Sequence, residues 1–187
     1  MKYAIILSKG GIVMDKNNLY AVGQFKDKVY DVKTGELIKE TEWSKNTIVN
    51  NINKAIAYAL AGKGGLCYWA VGSGQASWSD TNLPSPSPTD TQLSNEIGRK
   101  AIPSSAFKFL NASGDVTPNI TNVLQITLTF NASECNGDWR EFAIIGGDAT
   151  SKINSGIMIN HKIHKLQSKT ENLQIERSMR FTFNNNN

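Results

Sequence analysis

Two cysteines and two histidines in 187 residues leave this chain little material for disulfide frameworks, zinc sites or thiol catalysis. Cys67 and Cys135 stand far apart among apolar and turn residues. One disulfide remains open on spacing alone, and two buried thiols packing as small hydrophobes is the reading taken. Long apolar runs are missing too. The five apolar residues at 3–7 are too few for a signal-peptide core or a membrane span, so they read as a strand, with synthesis and assembly in a cytoplasm as the default. The net charge of +4 comes from scattered Lys and Arg without a basic run, which gives no ground for a nucleic-acid partner. No GxSxG elbow or Cys/His signature supplies a nucleophile.

What the sequence does contain is alternation. With 40% hydrophobic and 19% charged residues, the composition is that of a globular chain able to bury a core. Residues 123–130 place Leu124, Ile126, Leu128 and Phe130 against Gln125, Thr127 and Thr129, the period of a half-buried strand. In 173–183, Leu173, Ile175, Ser178, Met179, Phe181 and Phe183 are set against Gln174, Glu176, Arg177, Arg180 and Thr182. Further strands are expected at 66–71, 106–110, 142–145 and 156–165, with 106–110 and 123–130 as antiparallel neighbours. A hairpin is expected over 20–43 about Gly35. Only one segment changes period. Ile48, Ile52, Ile56 and Leu60 recur every four residues, which predicts an amphipathic helix over about 47–60, capped by Ser44 or Asn46 and ended by Gly62, Gly64 and Gly65.

Together these elements predict a mainly β chain: an antiparallel β-sandwich with one helix and an N-terminal hairpin. The division expected is an appendage at 1–43, the helix and sandwich at 44–183, and a disordered polar tail at 184–187. Three prolines in five residues, at 84, 86 and 88, make the segment before Asp90 a surface loop. Asp90 or Thr91 is expected to cap a short helical turn through Leu93, Ile97 and Gly98.

Candidate chemistry is sparse. His161 and His164 are three apart, so on a strand their rings diverge, and no neighbouring ligand completes a metal set. The motifs at 72–77 and 146–150 read as tight bends rather than phosphate loops. Glu96 with Arg99, and Arg140 with Glu141, read as ion pairs fixing loop geometry. Among four tryptophans, Trp69 reads as core and Trp78, just before the proline loop, as a possible partner contact.

The order of short motifs carries a resemblance. A strand ending in VGSG, a proline loop, TDTQLSNEIGR, the strand TLTF, then ECNG followed by REFAIIGG is similar to structural proteins of tailed bacteriophages, especially tail-collar and tail-fibre attachment domains. The matching positions are Thr91, Leu93, Glu96, Arg99, Arg140, Glu141 and Phe142, within about 66–183. The resemblance implies a non-enzymatic virion component, without cofactor, that mounts or joins parts of the tail, baseplate or neck as a collar or fibre adaptor. It implies other virion proteins as partners, self-association as a trimer or ring, and neither nucleic acid nor membrane as a ligand. Two alternatives stay open: a capsid decoration protein, and a carbohydrate-binding module for host attachment, the latter resting on the aromatic residues.

Overall fold

The structure is a computed structural model that describes residues 19–185. The strand expected at 3–7 lies outside them. In chain order the elements are β1 (Leu19–Asp31), β2 (Leu37–Glu40), β3 (Ser44–Ile48), α1 (Ile52–Leu60), β4 (Leu66–Gly72) and β5 (Glu96–Ala101). A short 3-10 turn, Ser104–Ala106, precedes β6 (Phe107–Leu110), β7 (Val116–Thr117), β8 (Val123–Phe130), β9 (Gly137–Gly146), β10 (Ile157–Met158), β11 (Asn160–Lys169) and β12 (Leu173–Asn185). All pairings are antiparallel, and the strands join into one path, β5-β4-β9-β11-β3-β1-β12-β8-β6-β7, with β10 on β9 and β2 on β1. No helix among the described residues is long and apolar enough to cross a membrane.

The path turns over at β3, which pairs with β11 on one side and β1 on the other. The inner faces of the two halves then pack together, as amphipathic sheets must to bury their apolar sides. Phe25 of β1 meets Phe142 of β9 with ring centroids 5.0 Å apart, and Trp69 of β4 meets Phe130 of β8 at 6.4 Å. A second, smaller cluster of Val49, Ala70, Leu93, Ala143, Ile145 and Met158 covers the opposite side of β4 and β9. The middle of β9 is therefore buried on both faces, which is why its sequence runs apolar without alternating.

Several expectations are refined. The hairpin at 20–43 forms, with Gly35 at φ +71, but β1 runs through the middle of the path and pairs with β12 along thirteen positions. At the other end, Asn184 pairs with Tyr20. The helix starts at Ile52 rather than 47, because Thr47 and Ile48 are paired with His161 and Asn160. Its N-cap is Asn51, without a side-chain cap, and not Ser44 or Asn46. Residues 96–98 belong to β5, so neither Asp90 nor Thr91 caps a helix. Cys67 and Cys135 are free and half-buried.

Candidate functional site

Between β4 and β5 the chain makes a long excursion, 73–95, that carries the three loop prolines and only one isolated bridge, Ser79 with Asn82. With so little backbone pairing of its own, its shape has to come from side chains. Leu93 supplies an apolar anchor, buried in the cluster over β4 and β9. The remaining anchors are polar and converge on one carboxylate.

Glu141 of β9 is fully buried, facing the loop. Its Oε1 accepts the backbone N–H of Asn95 at 2.8 Å and of Gly74 at 3.2 Å. Its Oε2 accepts the N–H of Ser94 at 3.0 Å and faces His161 Nε2 of β11 at 3.0 Å. An ionised carboxylate has about four acceptor positions, and all are taken here. The other His161 nitrogen, Nδ1, lies 2.7 Å from Asp90 Oδ2, which also accepts the N–H of Ser87 at 2.8 Å. With a carboxylate at each nitrogen, the ring serves both only as the imidazolium.

Burial alone pushes the Glu141 carboxyl up, but the hydrogen bonds from His161, Ser94 and Asn95 outweigh it and hold the group below its ordinary value. For His161 burial pulls downward, and the bonds to Glu141 and Asp90 reverse it, leaving the imidazole raised. Both shifts favour the charged forms of His161 and Glu141, which together with Asp90 clamp the loop to two strands. Four backbone amides, of Gly74, Ser87, Ser94 and Asn95, are held by the clamp's two carboxylates, and the imidazole joins the carboxylates to each other.

Outer ties complete the fixation. Asp80 Oδ1 accepts from Arg140 Nη1 at 2.7 Å and from the Leu166 N–H at 3.0 Å. The ends of the loop are joined by the Ser73 N–H to Asn95 O at 3.0 Å and by Asn95 Nδ2 to Ser73 Oγ at 2.7 Å. Asn50 donates its N–H to Pro88 O at 2.8 Å, tying the proline stretch to the segment before α1. Trp78 lies over Gly74, whose φ of +70 and missing Cβ make room for the indole. One face of Trp78 therefore belongs to the turn, and the side chain is half-buried.

Beside the clamp, Glu96 and Arg99 form a bidentate pair at 2.6 and 2.8 Å. Residues three apart on a regular strand point to opposite faces. A bulge, in which Gly72 pairs with Glu96 while Val71 pairs with Gly98, inserts Ile97 and brings the two side chains together. Arg99 Nη1 also donates to Thr150 O and Ser155 O, and Glu96 Oε2 accepts the Asn154 N–H, so this pair fixes the bend that follows β9.

The seven motif positions thus have separate places. Thr91 is exposed, Leu93 is an apolar anchor, and Phe142 is in the main core. Glu96 and Arg99 pair with each other. Arg140 and Glu141 do not: successive strand residues diverge, so Arg140 takes Asp80 and Glu141 takes His161. Sequence reading missed Asp90 and His161 as partners of Glu141. The available signal was a histidine, an aspartate and a glutamate in a chain poor in histidine, but their separations of 71 and 20 residues carry no local pattern.

No curated protein and no solved structure matches the chain. Residues 47–122, which include the whole loop and reach from β3 past β7, match the family model described as "Baseplate wedge 3 tail fiber network component", so this part of the chain is similar to a phage baseplate family and the resemblance to tailed-phage virion proteins holds there.

Proposed function

We propose that the protein is a non-enzymatic structural component of a phage tail or baseplate, and that the loop 73–95 is a preformed contact surface for a neighbouring virion protein. The observation that carries this reading is the clamp. Asp90, Ser94, Asn95 and Gly74 lie inside the segment similar to the baseplate family, and Glu141 and His161, outside it, hold them in place. A loop fixed before binding spares the ordering entropy that a free one loses on association. Large apolar side chains exposed in the same segment, Ile97, Val116 and Ile120, supply area for contacts. Closed self-association as a trimer or ring fits such a role, each interface burying on the order of 1,000 Å² or more. An adaptor joining fibres to the baseplate is the finer form of the proposal.

Side-chain-resolution imaging of purified phage particles tests it. The expected result is density for this chain in the baseplate or fibre network, with 73–95 against a different subunit. Absence of the chain from purified particles, or turnover of cell-wall glycan by the isolated protein, overturns the reading.

A further inference from the structure

The turn between β8 and β9, residues 131–136, closes over a buried cation. Lys169, the last residue of β11, is 1% exposed, and its Nζ donates to Asn131 O at 2.8 Å, Thr170 O at 3.1 Å, Ala132 O at 3.3 Å and Asn136 Oδ1 at 2.8 Å. All four acceptors are neutral. Among the described residues no carboxylate lies within ion-pair distance of this ammonium, and Glu134, in the same turn, is paired with Lys100. Burial accordingly pulls Lys169 below its ordinary value. A buried charge that has hydrogen bonds but no counter-charge is incompletely compensated.

Asn136 holds the means of supplying one. Its Nδ2 donates to Ala132 O at 2.9 Å, which fixes the amide with Oδ1 toward the ammonium, while the residue as a whole is exposed to water. The next residue is Gly137, and this is the one Asn-Gly pair in the chain. Gly137 has φ +142, a conformation that L side chains rarely adopt, so the backbone itself calls for glycine here. Without a Cβ at 137, the Gly137 nitrogen has open access to Asn136 Cγ through a five-membered ring, an intramolecular attack favoured by proximity. The negative charge that builds on Oδ1 during this attack falls 2.8 Å from Lys169 Nζ, the distance of an oxyanion-stabilising donor.

We propose that Asn136 is a self-modifying site, at which Lys169 promotes loss of the side-chain amide and the carboxylate that results becomes the counter-ion of Lys169. The Gly137 nitrogen gives its proton to solvent and bonds to Asn136 Cγ. The Cγ–Nδ2 bond breaks, and Nδ2 takes a proton from solvent and leaves as ammonia. Water then opens the cyclic imide at one of its two carbonyls, leaving an aspartyl or an isoaspartyl residue at 136. In either product an anion replaces a neutral acceptor beside the ammonium.

Mass spectrometry of the full-length protein, aged at neutral pH, tests this. The expected result is a mass gain of about 1 Da, mapped to position 136 and accumulating at least as fast in the folded protein as in the same chain unfolded in urea. Lys169→Met, with its fold checked by circular dichroism, is expected to slow the conversion on the order of tenfold. Asn136→Asp is expected to raise the denaturation midpoint above the parent's, and to lose that gain when combined with Lys169→Met. Asn136 left intact in the folded protein while the unfolded chain converts overturns the proposal, a comparison that decides even if Lys169→Met does not fold. An undiminished rate in folded Lys169→Met overturns it too, and an unchanged midpoint in Asn136→Asp overturns the counter-ion role. A loss of about 17 Da with Lys169 joined to position 136 overturns it as well, by making Lys169 the nucleophile.

Discussion

Arg177 and Asp27 are direct cross-strand partners on β12 and β1, joined by two contacts of 2.6 Å in the interior between the layers. The guanidinium is completely buried, with its centre 4.3 Å from the Phe142 ring centroid, and Gln167 Oε1 accepts a further bond at 3.1 Å. Among the described residues its Nη1 has no hydrogen-bond partner. Such a pair contributes little net stability compared with apolar residues of the same volume, but breaking one side leaves a buried charge uncompensated.

Asp27→Asn is therefore expected to destabilise the protein by about 3–5 kcal/mol, the range for an orphaned buried ion. The double variant Asp27→Leu with Arg177→Met is expected to lie within about 1–2 kcal/mol of the parent, because both charges leave together. Chemical denaturation of the three proteins checks this. Equal losses in the single and double variants would contradict it.

Arg177 also shows where the sequence is legible and where it is not. The strands at 123–130 and 173–183 are readable because each buries one face and therefore alternates. Strict alternation from Leu173 puts 177, not 178, with Ile175 and Met179, and the structure does so. Hydrophobicity placed Arg177 outside, since its charge is compensated by a residue 150 positions away. Glu141 and His161 were hidden for the same reason: a buried charge is recognisable only with its partner, and pairing across long separations is set by topology. Local bulges hide the rest, as at Ile97, where one inserted residue turns Glu96 and Arg99 to the same side.

The clamp has a defined pH window. His161 has a raised folded value, so its contribution is fully present below the unfolded value of about 6.5 and is lost as pH rises through the higher folded one. Glu141 has a lowered folded value; its contribution is present above about 4.5 and is lost as pH falls through the depressed one. Hydrogen exchange of the Ser94 and Asn95 amides is expected to be slowest, after correction for the intrinsic rate, between about pH 4.5 and 6.5 and to accelerate on the alkaline side. His161→Gln keeps ring-sized bulk without the charge and is expected to remove the alkaline acceleration by leaving these amides less protected throughout. An unchanged exchange profile in this variant would mean that the loop is held by Leu93 and backbone alone.

His164 acts in the opposite sense. Burial lowers it to about 4, assisted by the nearby charge of Arg177, against smaller opposing effects from the Lys165 carbonyl and Asp27, with Lys162 adding least. Its Nε2 is buried and has no hydrogen-bond partner among the described residues, and its ring lies 5.9 Å from Phe142. The unfolded chain takes up this proton first, so stability contributed by the neutral ring is full above about pH 6.5 and is lost as pH falls toward 4. His164→Phe retains an aromatic ring against Phe142 and cannot be protonated. Its unfolding free energy is expected to decline less steeply than the parent's between pH 6.5 and 4, which denaturant titrations at several pH values measure directly.

Gly72 is the backbone position on which the clamp closes most tightly. A Cβ there would stand 2.7 Å from Glu141 Oε1 and 2.7 Å from the Asn95 carbonyl oxygen, and the second of these is backbone that cannot rotate away. Gly72→Ala therefore has to push Asn95 and Glu141 outward, lengthening the bonds from the Asn95 and Gly74 amides to the buried carboxylate. The expected loss is roughly 1–3 kcal/mol, the penalty for overpacking a well-filled site. Gly65→Ala serves as the control, since a Cβ at Gly65 meets nothing within 4 Å. If the clamp fixes the loop, Gly72→Ala raises protease cleavage within 73–95 far more than Gly65→Ala does; equal cleavage in the two variants would show that the loop keeps its shape without Glu141.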